Sequence, residues 1–261
     1  MIRYTQITLL AGLLTFQLSS AQDETNKPMV QTIAQDRQER IEFLNPEYLL
    51  FAPQGQANEK APLLIYLHGA GGRGNNINKI QGQAGALLRG IQKFDKAPCF
   101  IVAPQCLKSM SEERKSTWTA NDLNQLLKHL RATLEFDEDR VYLTGNSMGG
   151  YGTWAWAAQN PEHFAAIAPV SGGIGRGGPK DITPDLDQWA KNLISLPVYA
   201  FVGAKDKVVP PDRSQRVVEA IQQAGGSQAQ LKVYPDQGHG ANKAAYSSPE
   251  FYEWLFSKRR K

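Results

Sequence analysis

From about residue 40 onward, short apolar runs alternate with stretches of helical period. The runs cover residues 48–52, 63–67, 100–103, 141–144, 166–170, 198–202 and 231–234. Helix-like segments at 85–94, 120–136, 151–160, 213–224 and 249–258 fall between most of them. A strand with one wet face alternates apolar and polar residues, whereas near-continuous apolar runs belong to strands covered on both faces. The pattern therefore predicts a mostly parallel α/β sheet with helices on both faces. No repeat or linker interrupts it, so residues 40–261 read as a single domain.

The first 21 residues follow a different pattern. Arg3 precedes the apolar stretch Ile7–Phe16, and Ser19-Ser20-Ala21 supply small side chains. An apolar stretch of that length is too short to span a bilayer, so it predicts a signal peptide cleaved before Gln22 and an exported chain. No cysteine stands at the cleavage point, and no stable membrane anchor is expected. An N-terminal anchor helix is the alternative. Residues 22–39 are polar and aperiodic and read as a flexible lead-in.

The 261 residues are 41% hydrophobic and 21% charged, enough for one sizeable core. A net charge of +4 is modest. The only basic run, Lys258-Arg259-Arg260-Lys261, reads as a solvated helix end, so no nucleic-acid partner is predicted. Cys99 and Cys106 flank a predicted strand. Even four extended residues span more than about 10 Å, whereas a disulfide needs Cα atoms within about 7 Å. Two free thiols are expected, with Cys106 just past the strand's carboxyl end.

Candidate chemistry centres on Gly145-Asn146-Ser147-Met148-Gly149, where an apolar run breaks into a helical one. A strand, sharp turn and helix with serine at the apex make a nucleophile elbow, and glycine two residues either side supplies clearance. Ser147 then stands at the positive end of a helix, where the Met148 N–H can face a developing oxyanion. Three partners are required: an upstream glycine-rich donor loop, a downstream base, and an acid between. His68-Gly69-Ala70-Gly71-Gly72 directly follows the 63–67 run. The Ala70 N–H is assigned as second oxyanion donor, with Gly71 the alternative, and His68 as a brace for the loop. The Gly-rich loop lacks a Walker lysine, which argues against phosphate binding.

Downstream, Asp206 follows the 198–202 run and His239 follows 231–234. Acid and base thus come in the order Ser, Asp, His, each beyond the carboxyl end of a strand. Asp236 competes with Asp206. His129 and His163 read as surface histidines. Trp118 and Tyr151 could form flat walls for a substrate ring or could pack the core beside the elbow, and Ser171 could line the pocket.

The motifs HGAGGRG, APQC, RVYLTGNSMGGYGTW, PVSGG, GAKDKVVP and the GHG loop before EFYEWL resemble the α/β-hydrolase superfamily from about residue 40 onward. More narrowly, they are similar to exported bacterial carboxylesterases related to feruloyl and acetyl-xylan esterases and to polyhydroxyalkanoate depolymerases. That resemblance implies a Ser147–His239–Asp206 esterase that uses no cofactor or metal. Its expected substrates are short-acyl or aromatic-acid esters, small or polysaccharide-linked. It also implies a minimal cap, with residues 172–189 the candidate rim. A serine peptidase of the same fold is the alternative enzyme, and a non-catalytic binding protein on this scaffold is the alternative outside enzymes.

Overall fold

The computed structural model describes residues 27–33, 40–53, 59–94, 96, 98–108, 117–173 and 186–260. Residues 1–21, read as a signal peptide, lie outside them. The described strands are β1 (Met29–Thr32), β2 (Leu44–Phe51), β3 (Ala61–Leu67), β4 (Phe100–Cys106), β5 (Phe136–Asn146), β6 (Ala166–Val170), β7 (Val198–Gly203) and β8 (Ala229–Tyr234). They join in one sheet with the order β1-β2-β4-β3-β5-β6-β7-β8. From β4 to β8 the neighbours run parallel, and β1 and β2 are antiparallel additions at one edge.

The helices are α1 (Gln81–Lys93), α2 (Ala120–Thr133), α3 (Met148–Gln159), α4 (Leu186–Asn192), α5 (Asp212–Gln223), α6 (Ala241–Ala245) and α7 (Pro249–Phe256). Strand pleating explains the unbroken apolar runs. Leu63, Ile65 and Leu67 of β3 enter one core layer with residues of α2, α3 and α5. Leu64 and Tyr66 enter the opposite layer with residues of α1, α6 and α7. Each helix buries the stripe its period dictates. In α2 these are Leu123, Leu126, Leu127 and Leu130, and the Thr119 hydroxyl caps the helix by accepting from the Asp122 N–H at 3.3 Å. By contrast α3 is buried nearly all round, which is why its sequence shows little amphipathic contrast.

Three expectations need correction. Residues 29–32 fall in the stretch read as a flexible lead-in, yet they pair with β2. Met29 and Val30 remain 46% and 44% exposed on that edge, so the strand is held by backbone bonds and leaves no burial signal. Cys106 lies within β4 rather than beyond it, because Pro104 and Gln105 continue the strand opposite β2. Both cysteines are free and buried. In the expected rim, Leu186 and Trp189 belong to α4 and pack against the core, while Ile174 and Ile182 lie outside the described residues.

One irregularity matters for the site. The β2–β4 register shifts between Leu44 and Tyr48, so Asn45-Pro46-Glu47 bulge opposite the end of β4. A proline is tolerated there because a bulge frees its position from the ladder.

Ile65 has no exposed surface in central β3. Ile65→Ala is expected to destabilise the fold by about 2–5 kcal/mol. In a urea titration the midpoint should fall with the slope unchanged.

Candidate active site

The loops at the carboxyl ends of β3, β5, β7 and β8 converge on Ser147. Ser147 has φ 56° and ψ −118°, a conformation few side-chain-bearing residues adopt. Its N–H donates to Val170 O of β6 at 3.0 Å, and its carbonyl accepts from Tyr151 N–H as α3 begins. The flanking glycines are required by contact. A Cβ at Gly149 would fall on the carbonyl oxygen of Leu67, and one at Gly145 would lie 2.5 Å from Gly149 O.

His239 bridges Asp206 and Ser147. Its Nε2 lies 2.9 Å from Ser147 Oγ and its Nδ1 lies 2.8 Å from Asp206 Oδ2. The neutral ring with hydrogen on Nδ1 fits both contacts, donating to the carboxylate and accepting from the serine hydroxyl. The Asp206 side chain is wholly buried. Its other oxygen, Oδ1, accepts from the Val208 and Val209 N–H groups at 2.9 Å each. Asp236 points elsewhere, with an 84% exposed side chain paired to Lys205 at 2.9 Å.

The loop after β3 lies against the serine. A Cβ on Gly69 would come within 3.5 Å of Ser147 Cβ, and Ala70–Gly72 close a 3-10 turn. Met148 begins α3, so its N–H belongs to the first turn, where no helical acceptor exists. Tyr66 Oη donates to Asn146 Oδ1 at 2.7 Å, one residue before Ser147.

His68 is wholly buried behind this loop. Its Nδ1–H donates to Gly69 O at 2.7 Å and its Nε2 accepts from Cys106 N–H at 3.0 Å. Burial holds its pKa down at about 4; the Gly69 carbonyl opposes this, and the nearby cations Arg73 and Lys79 add to it. His129 sits 3.3 Å from Tyr48 Oη, and His163 packs edge-on to Trp156. Neither belongs to the Ser147 cluster.

The three proposed pocket residues are corrected by burial. Trp118 is 5% exposed, packs on Gly152 and edge-on to His68, and donates from Nε1 to His68 O at 3.1 Å. Tyr151 is 3% exposed in the first turn of α3. Ser171 is wholly buried with φ 45°, and its N–H donates to Phe201 O at 2.8 Å. All three build the floor of the elbow, and none offers an open wall. The polar residues missed by pattern reading are Gln105, Asn45 and Asn146, whose isolated side chains produce no periodicity. A polar residue set between the apolar run 100–103 and Cys106, as Gln105 is, was the available signal.

Residues 92–251 match the profile of the dienelactone hydrolase family. A Salmonella typhimurium protein provisionally named a carboxymethylenebutenolidase is 33% identical over 112 residues, 41% of this chain. The alignment spans only 38% of that relative's length. An Aspergillus terreus protein, provisionally named feruloyl esterase C, is 26% identical over 195 residues, covering 74% of this chain and 67% of the other. The crystal structure of a thermostable esterase superposes with a TM-score of 0.73 at 28% identity, covering 90% of this chain and 64% of that one.

The depressed pKa of His68 sets a direction for acid stability. An unfolded histidine takes its proton near pH 6.5, whereas the folded one waits until about 4. The unfolded chain therefore binds more protons in that window. The stability His68 gives is complete above 6.5 and is lost as pH falls toward 4, on the order of 3 kcal/mol. His129 and His163 are lowered by burial in the same sense. Urea unfolding at pH 7 and pH 4.5 should thus show a shallower pH dependence for His68→Gln than for wild type.

Proposed function

We propose, from a chain that belongs to the dienelactone hydrolase family, that this protein is a serine carboxylesterase with Ser147 as nucleophile, His239 as base and Asp206 as acid. The observation that carries the reading is the unbroken relay from Ser147 Oγ through His239 to a buried Asp206. His239 Nε2 takes the hydroxyl proton as Oγ attacks the ester carbonyl. Asp206 holds the Nδ1–H tautomer and stabilises the imidazolium that forms. The N–H groups of Met148 and Ala70 receive the oxyanion of the tetrahedral intermediate. The intermediate collapses to an acyl-enzyme as His239 returns the proton to the leaving alcohol. A water activated by the same nitrogen then releases the acid.

For substrate, short-acyl or aromatic-acid esters, including carbohydrate-linked ones, fit better than long-chain lipids. Leu186 and Trp189 are partly buried against the core, and the rest of the 172–189 stretch holds few large apolar side chains with which to cover an acyl chain. The name of the Aspergillus relative points the same way.

A fluorophosphonate should label Ser147, identified by peptide mapping. Ser147→Ala should lower kcat on p-nitrophenyl acetate by about 10⁴-fold or more. An active protein unlabelled at Ser147 would remove the mechanism. Asp206→Asn should reduce kcat by on the order of 10⁴-fold, while Asp236→Asn stays near wild type. The reverse ranking would reassign the acid. In a panel of acetyl, butyryl, feruloyl and long-chain esters, turnover should fall from C2–C4 to C12–C16, and the opposite trend would sink the substrate class.

A further inference from the structure

We propose that Gln105, braced by Asn45, is a positioning residue that sets where the Ala70 N–H meets the oxyanion. The proposal rests on the esterase reading above and concerns the same site. Gln105 is the next-to-last residue of β4 and is wholly buried. Its Nε2 donates to Gly72 O at 2.9 Å and to Asn76 O at 3.0 Å, spanning both ends of the turn that follows Ala70. Its Oε1 accepts from Asn45 Nδ2 at 3.0 Å. Two carbonyl partners on one end and an amide donor on the other fix the orientation, because a flipped amide would set oxygen against oxygen twice.

Asn45 is itself held. It lies in the β2 bulge opposite the end of β4, is 5% exposed, and its Oδ1 accepts from Glu47 N–H at 3.1 Å. The bulge therefore has a purpose: it turns Asn45 inward toward Gln105, where regular pairing would set the strand's side chains by alternation alone. Two further bonds tie the loop to the last residue of β4. Cys106 N–H donates to His68 Nε2, and Gly74 N–H donates to Cys106 O at 3.0 Å. The β3 loop, which has exposed residues at Ala70 and Gly71, is thus anchored through its interior carbonyls to a neighbouring strand. Such anchoring matters because a displacement of about 1 Å at a reacting group can lower a rate roughly 10²-fold.

The test separates positioning from general stability. Gln105→Met keeps length and volume but loses both donors, and it should lower kcat on p-nitrophenyl acetate by about 10–100-fold with KM within about threefold. Inhibition by phenylboronic acid, which forms a tetrahedral adduct with the serine, should weaken by a similar factor. Asn45→Ala leaves Gln105 in place but unbraced, and should move both readouts the same way by about 3–10-fold. Val102→Ala, in the apolar part of β4, serves as control: it should lower Tm while leaving kcat and boronate inhibition near wild type. Unchanged kcat and boronate inhibition in folded Gln105→Met and Asn45→Ala would overturn the proposal, as would an equal loss in Val102→Ala. Should Gln105→Met fail to fold, Asn45→Ala decides alone. Absence of fluorophosphonate labelling at Ser147 in active wild type would instead strike the esterase reading itself.

Discussion

The absence of free space between Leu67, Gly145 and Gly149 is the constraint on which the rest of the molecule depends. The end of β3, the end of β5 and the start of α3 meet backbone to backbone, so that any Cβ at Gly149 would occupy the Leu67 oxygen. Chain direction must reverse within one residue there, and Ser147 takes the consequence at φ 56°. A conformation of this kind costs about 1–3 kcal/mol and persists only where its surroundings over-determine it. Here they do: Val170 holds the Ser147 N–H, and nearly every side chain of α3 is buried. The same contact aligns the two halves of the candidate oxyanion site, because the β3 loop departs beside the elbow.

Around this junction, the carboxylate, imidazole and carboxamide groups withdrawn from water are matched, although Ser171 Oγ and Trp154 Nε1 find no partner among the described residues. Asp206 receives two backbone N–H groups and an imidazole N–H, which satisfies a carboxylate with no exposed surface. His68 and Gln105 are matched in the same manner on the other side of the serine. Buried polar networks stabilise one geometry when complete and are destabilising when any member is missing. The edge that carries Ser147 is therefore rigid where partners are fixed, and His239 keeps 32% of its side chain exposed.

The sheet and the elbow were legible in the sequence because both follow from local rules. Strands buried on both faces leave continuous apolar runs, and a strained serine turn demands glycines at fixed offsets. Asp206, His239 and the β3 loop could be found because the elbow required them beyond particular strands. What stayed hidden depends on pairing across the fold. β1 is held by backbone bonds at an edge, and its two apolar residues, Met29 and Val30, stay exposed, so no continuous apolar run marks it. Asn45 and Gln105 meet only because a bulge in β2 faces the end of β4. The burial of Trp118 depends on which side of α3 it reaches, a matter of tertiary packing that spacing along the chain does not encode.

The order of the strands in space also bears on how the protein comes into being. β3 and β5 lie side by side with some seventy residues of chain between their ends, and β2 reaches its place only by joining β4. Such pairings close large loops, whose entropy must be lost before any contact repays it, so folding belongs to the slow, high-contact-order class. Ser147 is supplied by the middle of the sheet, but His239 follows β8, the strand at the opposite edge from β1. Ser147 and His239 thus come from separate strands of one sheet, and their contact depends on β8 being in place. A chain in which β8 had not docked would carry Ser147 without its contact to His239.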